Sequence, residues 1–178
     1  MAEDESTEER WAEKMRRLRE RPPAQRTLRA CDDEQVRREA FLADEALARA
    51  RYVAKSHPED EDVARRVPEL ERANTKAQEA LATASVTLTF RALPRPALED
   101  LIAAHPPTEE QAAEDAAFNP DTFPAALVSA ASVDGMSETE AEELLGSWPT
   151  AEANALWEAA WQVQQVSRTD VVADVGKG

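Results

Sequence analysis

Residues 85–93 read SVTLTFRAL, and their period of two decides how the chain is organised. Val86, Leu88 and Phe90 fall on one face of an extended segment and Thr87, Thr89 and Arg91 on the other, the alternation of a half-buried strand. A lone strand leaves its backbone donors and acceptors unpaired, so this one must find a partner. The other run rich in β-formers, TDVVADV at 169–175, is a candidate. A strand from a second copy or from another protein is the alternative. The pattern is helical on both sides of 85–93. The chain is therefore read as mainly α: an N-terminal helical hairpin, one short β-strand, then a small acidic helical domain.

Upstream, residues 1–9 carry no apolar period and are expected to be unstructured. Trp11, Met15 and Leu18 give 10–21 the narrow stripe of a charged helix, which Pro22 and Pro23 end by removing amide donors and disfavouring helix before them. Residues 1–31 are thus read as a flexible N-terminus with a short charged helix. From Asp32 a longer seam begins, with Val36, Ala40, Ala43, Leu47, Ala50 and Ala54 in alternating steps of four and three. His57-Pro58 stops it, and the acidic run 59–62 suits the positive end of a second helix. That helix carries Val63, Val67, Leu70, Asn74, Ala77, Leu81 and Ala84, and Pro68 inside it predicts a late start near Val67 or a kink. Two helices of similar length with a short polar connection pack best antiparallel, so 32–84 is read as a hairpin. Its small seam residues bury little area at ~25 cal/mol per Å², and it is expected to self-associate or to lean on a partner.

Downstream, Leu98, Leu101 and Ile102 make a short helix ended by His105-Pro106-Pro107. Thr108-x-x-Gln111 and Ser137-x-x-Glu140 are capping boxes that open two further helices. Thr122 is expected to cap another, with Pro124 in its first turn and Leu127 and Val128 inward. Asp134-Gly135 marks a turn, and Gly146 stops the helix after Ser137. In the last helix, which starts at Thr150, Leu156, Ala160 and Val163 form one edge and Trp157, Trp161 and Gln164 the next. The acidic helical domain spans 85–166, and 167–178 is read as a C-terminal tail.

Charge and residue inventory narrow the function. Residues 1–84 hold 17 basic against 20 acidic residues, a net of −3, while 85–178 hold 4 against 16, a net of −12. Phosphate contacts need clustered Lys and Arg, so the C-terminal part excludes itself as a nucleic-acid binder; the Arg clusters at 16–21 and 37–38 are interleaved with acids and read as solvated helix faces. Cys31 is the only cysteine, so no internal disulfide is expected and a reducing cytoplasm fits. No apolar leader and no membrane span are expected.

His57 and His105 each precede proline and share no ligand spacing with Cys31, and the acidic run 59–62 lacks the alternating ligands and central glycine of a calcium loop. Four glycines supply no phosphate-cradling loop and no nucleophile elbow. No metal, no cofactor and no catalysis are expected.

Phe118, Phe123, Trp148, Trp157 and Trp161 concentrate in one segment. Phe123 and Trp157 are expected in the core. Trp148, before a proline, and Trp161, beside Gln164, are candidates to face a partner, because exposed indole is costly unless it anchors an interface. The candidate partner-binding residues are therefore Trp148, Trp161 and Phe118, together with Val36, Leu47, Leu70 and Leu81 of the hairpin seam.

Four stretches carry a family resemblance: Val86–Leu93 (VTLTFRAL), Leu98–Pro107 with its terminal HPP, Phe118–Val128 (FNPDTFPAALV), and Leu156–Trp161 in the final helix. They resemble tail assembly chaperones of long-tailed, siphovirus-type phages of actinobacteria, and the Arg-, Glu- and Ala-rich hairpin ahead of the strand is similar as well. The resemblance implies a small protein that binds the tape measure protein and assists tail polymerisation in the cytoplasm of the infected host, without catalysis. It also implies absence from the mature virion and, in many relatives, a longer frameshifted form. An expectation from another class is a permanent tail or connector subunit, which purified particles would contain. A regulatory DNA-binding role is disfavoured by the net −12.

Overall fold

The computed structural model describes residues 2–59 and 61–169. Eight helices are described: α1 (Ala2–Arg19), α2 (Glu34–Ser56), α3 (Glu61–Thr83), α4 (Arg95–Ala104), α5 (Glu109–Ala113), α6 (Phe123–Ala131), α7 (Glu138–Ser147) and α8 (Thr150–Gln162), the last continued by a 3-10 turn, Val163–Gln165. Two strands, β1 (Gln25–Ala30) and β2 (Val86–Arg91), pair as a single sheet. The fold is mainly α, as the periodicity predicts. The chain forms two compact units, one from Leu28–Leu88 and one from the segments before and after it.

Three expectations about the first thirty residues and the strand are corrected. Residues 2–9 are helical, continuous with the charged helix; the chain is acidic before Arg10 and basic after Glu13, which matches the helix dipole. Within it Arg16 bonds both Glu13 and Glu20, and its guanidinium holds the Glu13 carboxyl below the ordinary carboxylate range. Among the described residues the expected strand pairs with β1, inside the segment read as flexible. QRTLRA has one large apolar residue and follows two prolines, so nothing local marks it as a strand. Of the other candidate, 170–175 lie outside the described residues, as does the tail beyond 169.

In the Leu28–Leu88 unit, α2 and α3 form the expected hairpin. Every seam position of α2 is shielded, with Ala40 and Leu47 fully buried. Val67, Leu70, Asn74, Ala77 and Leu81 are shielded on α3, whereas Ala84 lies past the helix end and is exposed. Helix α3 does not start late. It runs from Glu61 through Pro68, with Asp62 in its first turn paired to Arg65 at 3.3 Å. Polar ties cross the seam: Gln78 Nε2 donates to the Ala40 carbonyl at 3.4 Å, and Arg51 meets Glu71 at 2.7 Å.

Strand β2 begins in the Leu28–Leu88 unit and ends in the other, where its Phe90 enters a small core. Phe90 is fully buried and Leu88 half-buried, but Val86, at the strand's start, is 67% exposed. The core is built on α6, whose Phe123, Ala125, Ala126, Leu127, Val128 and Ala131 are all buried, with Leu156, Ala159, Ala160 and Val163 of the final helix and its turn. Helix α6 packs on α4, α7 and α8, which is why its apolar residues surround the axis instead of forming a stripe.

The second edge of β2 is also satisfied. Phe90 bridges Ser132, Val133 N donates to the Thr89 carbonyl at 2.8 Å, and Thr89 N donates to Asp134 Oδ2 at 2.7 Å. Gly135, at φ +84°, takes the left-handed conformation that lets the chain leave this edge. Past the strand, Gln164 Oε1 accepts from Leu93 N at 2.8 Å while its Nε2 donates to the Arg91 and Ala160 carbonyls. One glutamine therefore pins the strand exit to the last helix.

Both capping boxes form as read, at Thr108 with Gln111 and at Ser137 with Glu140. Helix α7 runs one residue past Gly146 to Ser147. Ser137 N and Oγ donate to Glu140 Oε2 at 2.8 and 2.7 Å, and these bonds, the backbone one foremost, hold the Glu140 carboxyl below its usual range. A lowered carboxylate contributes stability that is present above its unfolded pKa and lost as pH falls through the folded one. Ser137→Ala keeps the backbone bond but removes the hydroxyl that accepts from Glu140 N and donates to its carboxylate, and loss of such an N-cap should cost ~1 kcal/mol near neutrality. Thermal melts of the two proteins should draw together as the pH is taken below the carboxylate range; an undiminished gap in acid would remove Glu140 from the account.

Candidate partner-binding surface

Helix α4 ends at His105, whose carbonyl accepts from Asn119 N at 2.8 Å. That bond returns the chain after α5 to the end of α4. Asp115 takes a left-handed conformation, φ +62°, Asn119 Oδ1 accepts from Asp121 N at 2.9 Å, and Gln111 Nε2 donates to Asp121 Oδ2 at 3.0 Å. These short-range bonds shape the FNPDTFP turn and point Phe118 and Phe123 to the same side. Thr122 does not cap α6 through its side chain; its Oγ1 lies 2.9 Å from His105 Nδ1 instead. Pro124 occupies the first turn of α6, as expected.

The turn meets α8. Trp157 and Trp161, one helical turn apart, stack with centroids at 5.4 Å and planes 16° apart. Phe118 lies 4.3 Å from Phe123, 6.0 Å from Trp157 and 5.6 Å from Trp161, and Phe123 contacts both indoles edge-on. The His105 ring adds a T-shaped contact to Phe123 at 6.2 Å. Such arrangements favour the positive ring edge against the negative face. Phe123 is fully buried at the centre, while Phe118, Trp157 and Trp161 are half-buried. Their remaining surface makes an aromatic wall. Glu114, Asp115, Glu152 and Glu158, neighbours of these residues in sequence, are all exposed, and no Lys or Arg occurs between Arg95 and Arg168.

The candidate residues thus divide. Phe118 and Trp161 come together in the wall. Trp148 does not join it: it is half-buried at the C-cap of α7, where its N donates to the Leu144 carbonyl. Val36, Leu47, Leu70 and Leu81 lie along the α2–α3 seam, half-buried except Leu47, which is fully buried. Trp157, expected in the core, keeps part of its surface open, and His105, read only as a helix stop, contributes a ring; a contact between residues 105 and 123 leaves no local periodic signal. Cys31 is half-buried and free of any disulfide.

The wall offers apolar area and ring faces, not a nucleophile with a base beside it. Among the described residues no three His, Cys, Asp or Glu side chains gather to hold a metal, and no helix is long and apolar enough to cross a membrane. No family model, curated protein or solved structure matches the chain.

Leu156 is wholly enclosed and Trp161 is not, so Leu156→Ala should cost about 2–5 kcal/mol. Trp161→Ala should cost less and leave the helical circular dichroism intact. Thermal melting compares them; an equal or greater loss at Trp161 would make that ring core.

Proposed function

We propose that the protein is a phage tail assembly chaperone that binds the tape measure protein and assists tail polymerisation without catalysis. One observation carries the reading. From Thr89 onward, the stretches that resemble such chaperones belong to one unit, in which Phe90, Phe123, Leu127, Val128, Leu156 and Ala160 are buried and Phe118, Trp157 and Trp161 are left partly open. An acidic body with an aromatic wall suits transient cover for an apolar helix of a long tape measure protein: the rings take up apolar side chains, and the net charge keeps the complex in solution. Leu47 is already enclosed by the hairpin, so the wall, and not the seam, is the contact in this proposal.

Co-expression with a candidate tape measure protein from the same genome tests the reading. The two should co-purify, and a Phe118→Ala/Trp161→Ala pair should weaken capture by about 30-fold or more, a loss of roughly 2 kcal/mol, while the free chain stays folded. A tape measure protein that never co-purifies, or a chain present in stoichiometric amount in purified particles, would overturn it.

A further inference from the structure

Helix α2 has a second apolar face. The seam is one side of the helix, and on the other Phe41 is 61%, Leu42 53% and Tyr52 72% exposed. Phe41 and Tyr52 are eleven residues apart, close to three full turns at about 3.6 residues per turn. They therefore lie in line, with Glu45 and Ala48 between them and Leu42 and Arg49 on the flank. Isolated apolar surface residues are ordinary, but two aromatic rings aligned on a helix face with nothing over them mark a contact surface. Neither Glu45 nor Arg49 makes an ion pair among the described residues.

We propose that this face pairs with the same face of a second copy, the two α2 helices running antiparallel. The commitment to a second copy rests on the pattern being self-complementary, as a two-fold interface requires. With the axis between Ala46 and Leu47, Phe41 of each chain lies opposite Tyr52 of the other, and Glu45 lies beside Arg49. Each contact then occurs twice, two aromatic pairs at the ends and two ion pairs at the centre. A parallel arrangement would set Glu45 on Glu45 and Arg49 on Arg49, a like-charge register that is destabilising. The pairing also supplies what the hairpin lacks, since its α2 buries only Ala40 and Leu47 completely. It does not rest on the chaperone reading and involves neither the seam nor the aromatic wall.

Sedimentation equilibrium of the full chain at micromolar concentration, without any other protein, tests the proposal. The wild type should run as a dimer. Phe41→Glu/Tyr52→Glu should be monomeric with unchanged helical circular dichroism. Arg49→Glu, which sets acid against acid at the centre, should raise the dimer dissociation constant at least tenfold, and adding Glu45→Arg should restore it. A monomeric wild type, a dimer that survives the Phe41/Tyr52 double variant, or a charge swap that fails to restore association would each overturn it; in the second case the self-contact lies elsewhere, the hairpin seam included.

Discussion

Strand β2 has to have its backbone groups satisfied on both edges, and the arrangement of this protein follows from how that is done. A buried Phe90 places its amide and carbonyl where water cannot serve them. On one edge the pairing draws in β1, fetched from before the hairpin; on the other it draws in Ser132 and Val133 at the end of α6, with Asp134 closing the last donor. Helix α6 is thereby held against the strand, and Gln164 ties the end of the last helix to the strand's exit. The hairpin leaves from one of these strands and returns through the other, which makes it an insertion between the two chain segments of the other unit.

The core this creates is small, and its composition explains its architecture. Alanine supplies much of it, at 125, 126, 131, 141, 159 and 160, so helices approach closely but each contact buries little area. The large side chains are concentrated where several elements converge: Phe90 from the strand, Phe123 and Leu127 from α6, Leu156 from α8. Aromatic rings do the remaining work at the boundary with solvent, where a ring can share its surface between neighbours and water. Ring-to-ring contact holds Phe118 and the two indoles in a defined geometry, which under the proposed function would lower the entropy that binding costs.

The hairpin solves the same shortage differently. Its alanine seam allows the helices to lie close and register through Leu47, Leu70 and Leu81, with Gln78 reaching the backbone of the facing helix. The salt bridge between Arg51 and Glu71 is exposed on both sides and adds little. What remains is one helix with two apolar faces of different kinds, a small-residue face turned inward and an aromatic face turned out.

Much of this was legible in the sequence wherever the deciding contacts are local. The two heptad seams, the period of two in 86–91, both capping boxes and the inward stripe Leu156, Ala160, Val163 each depend on residues within a turn or two of one another, so spacing alone set them. Helix α3 ran through Pro68 because one missing donor is outweighed by a seam that continues on both sides of it. What only the tertiary structure decided was non-local. The partner of β2 is a stretch with one large apolar residue some sixty positions away, and its strand character comes from the pairing itself, not from its own propensity. The aromatic wall likewise exists because the His105 carbonyl returns Asn119 to the end of α4; a hydrogen bond between distant loops writes no period into the chain, and so the convergence of Phe118 with Trp161 could not be read before it was seen.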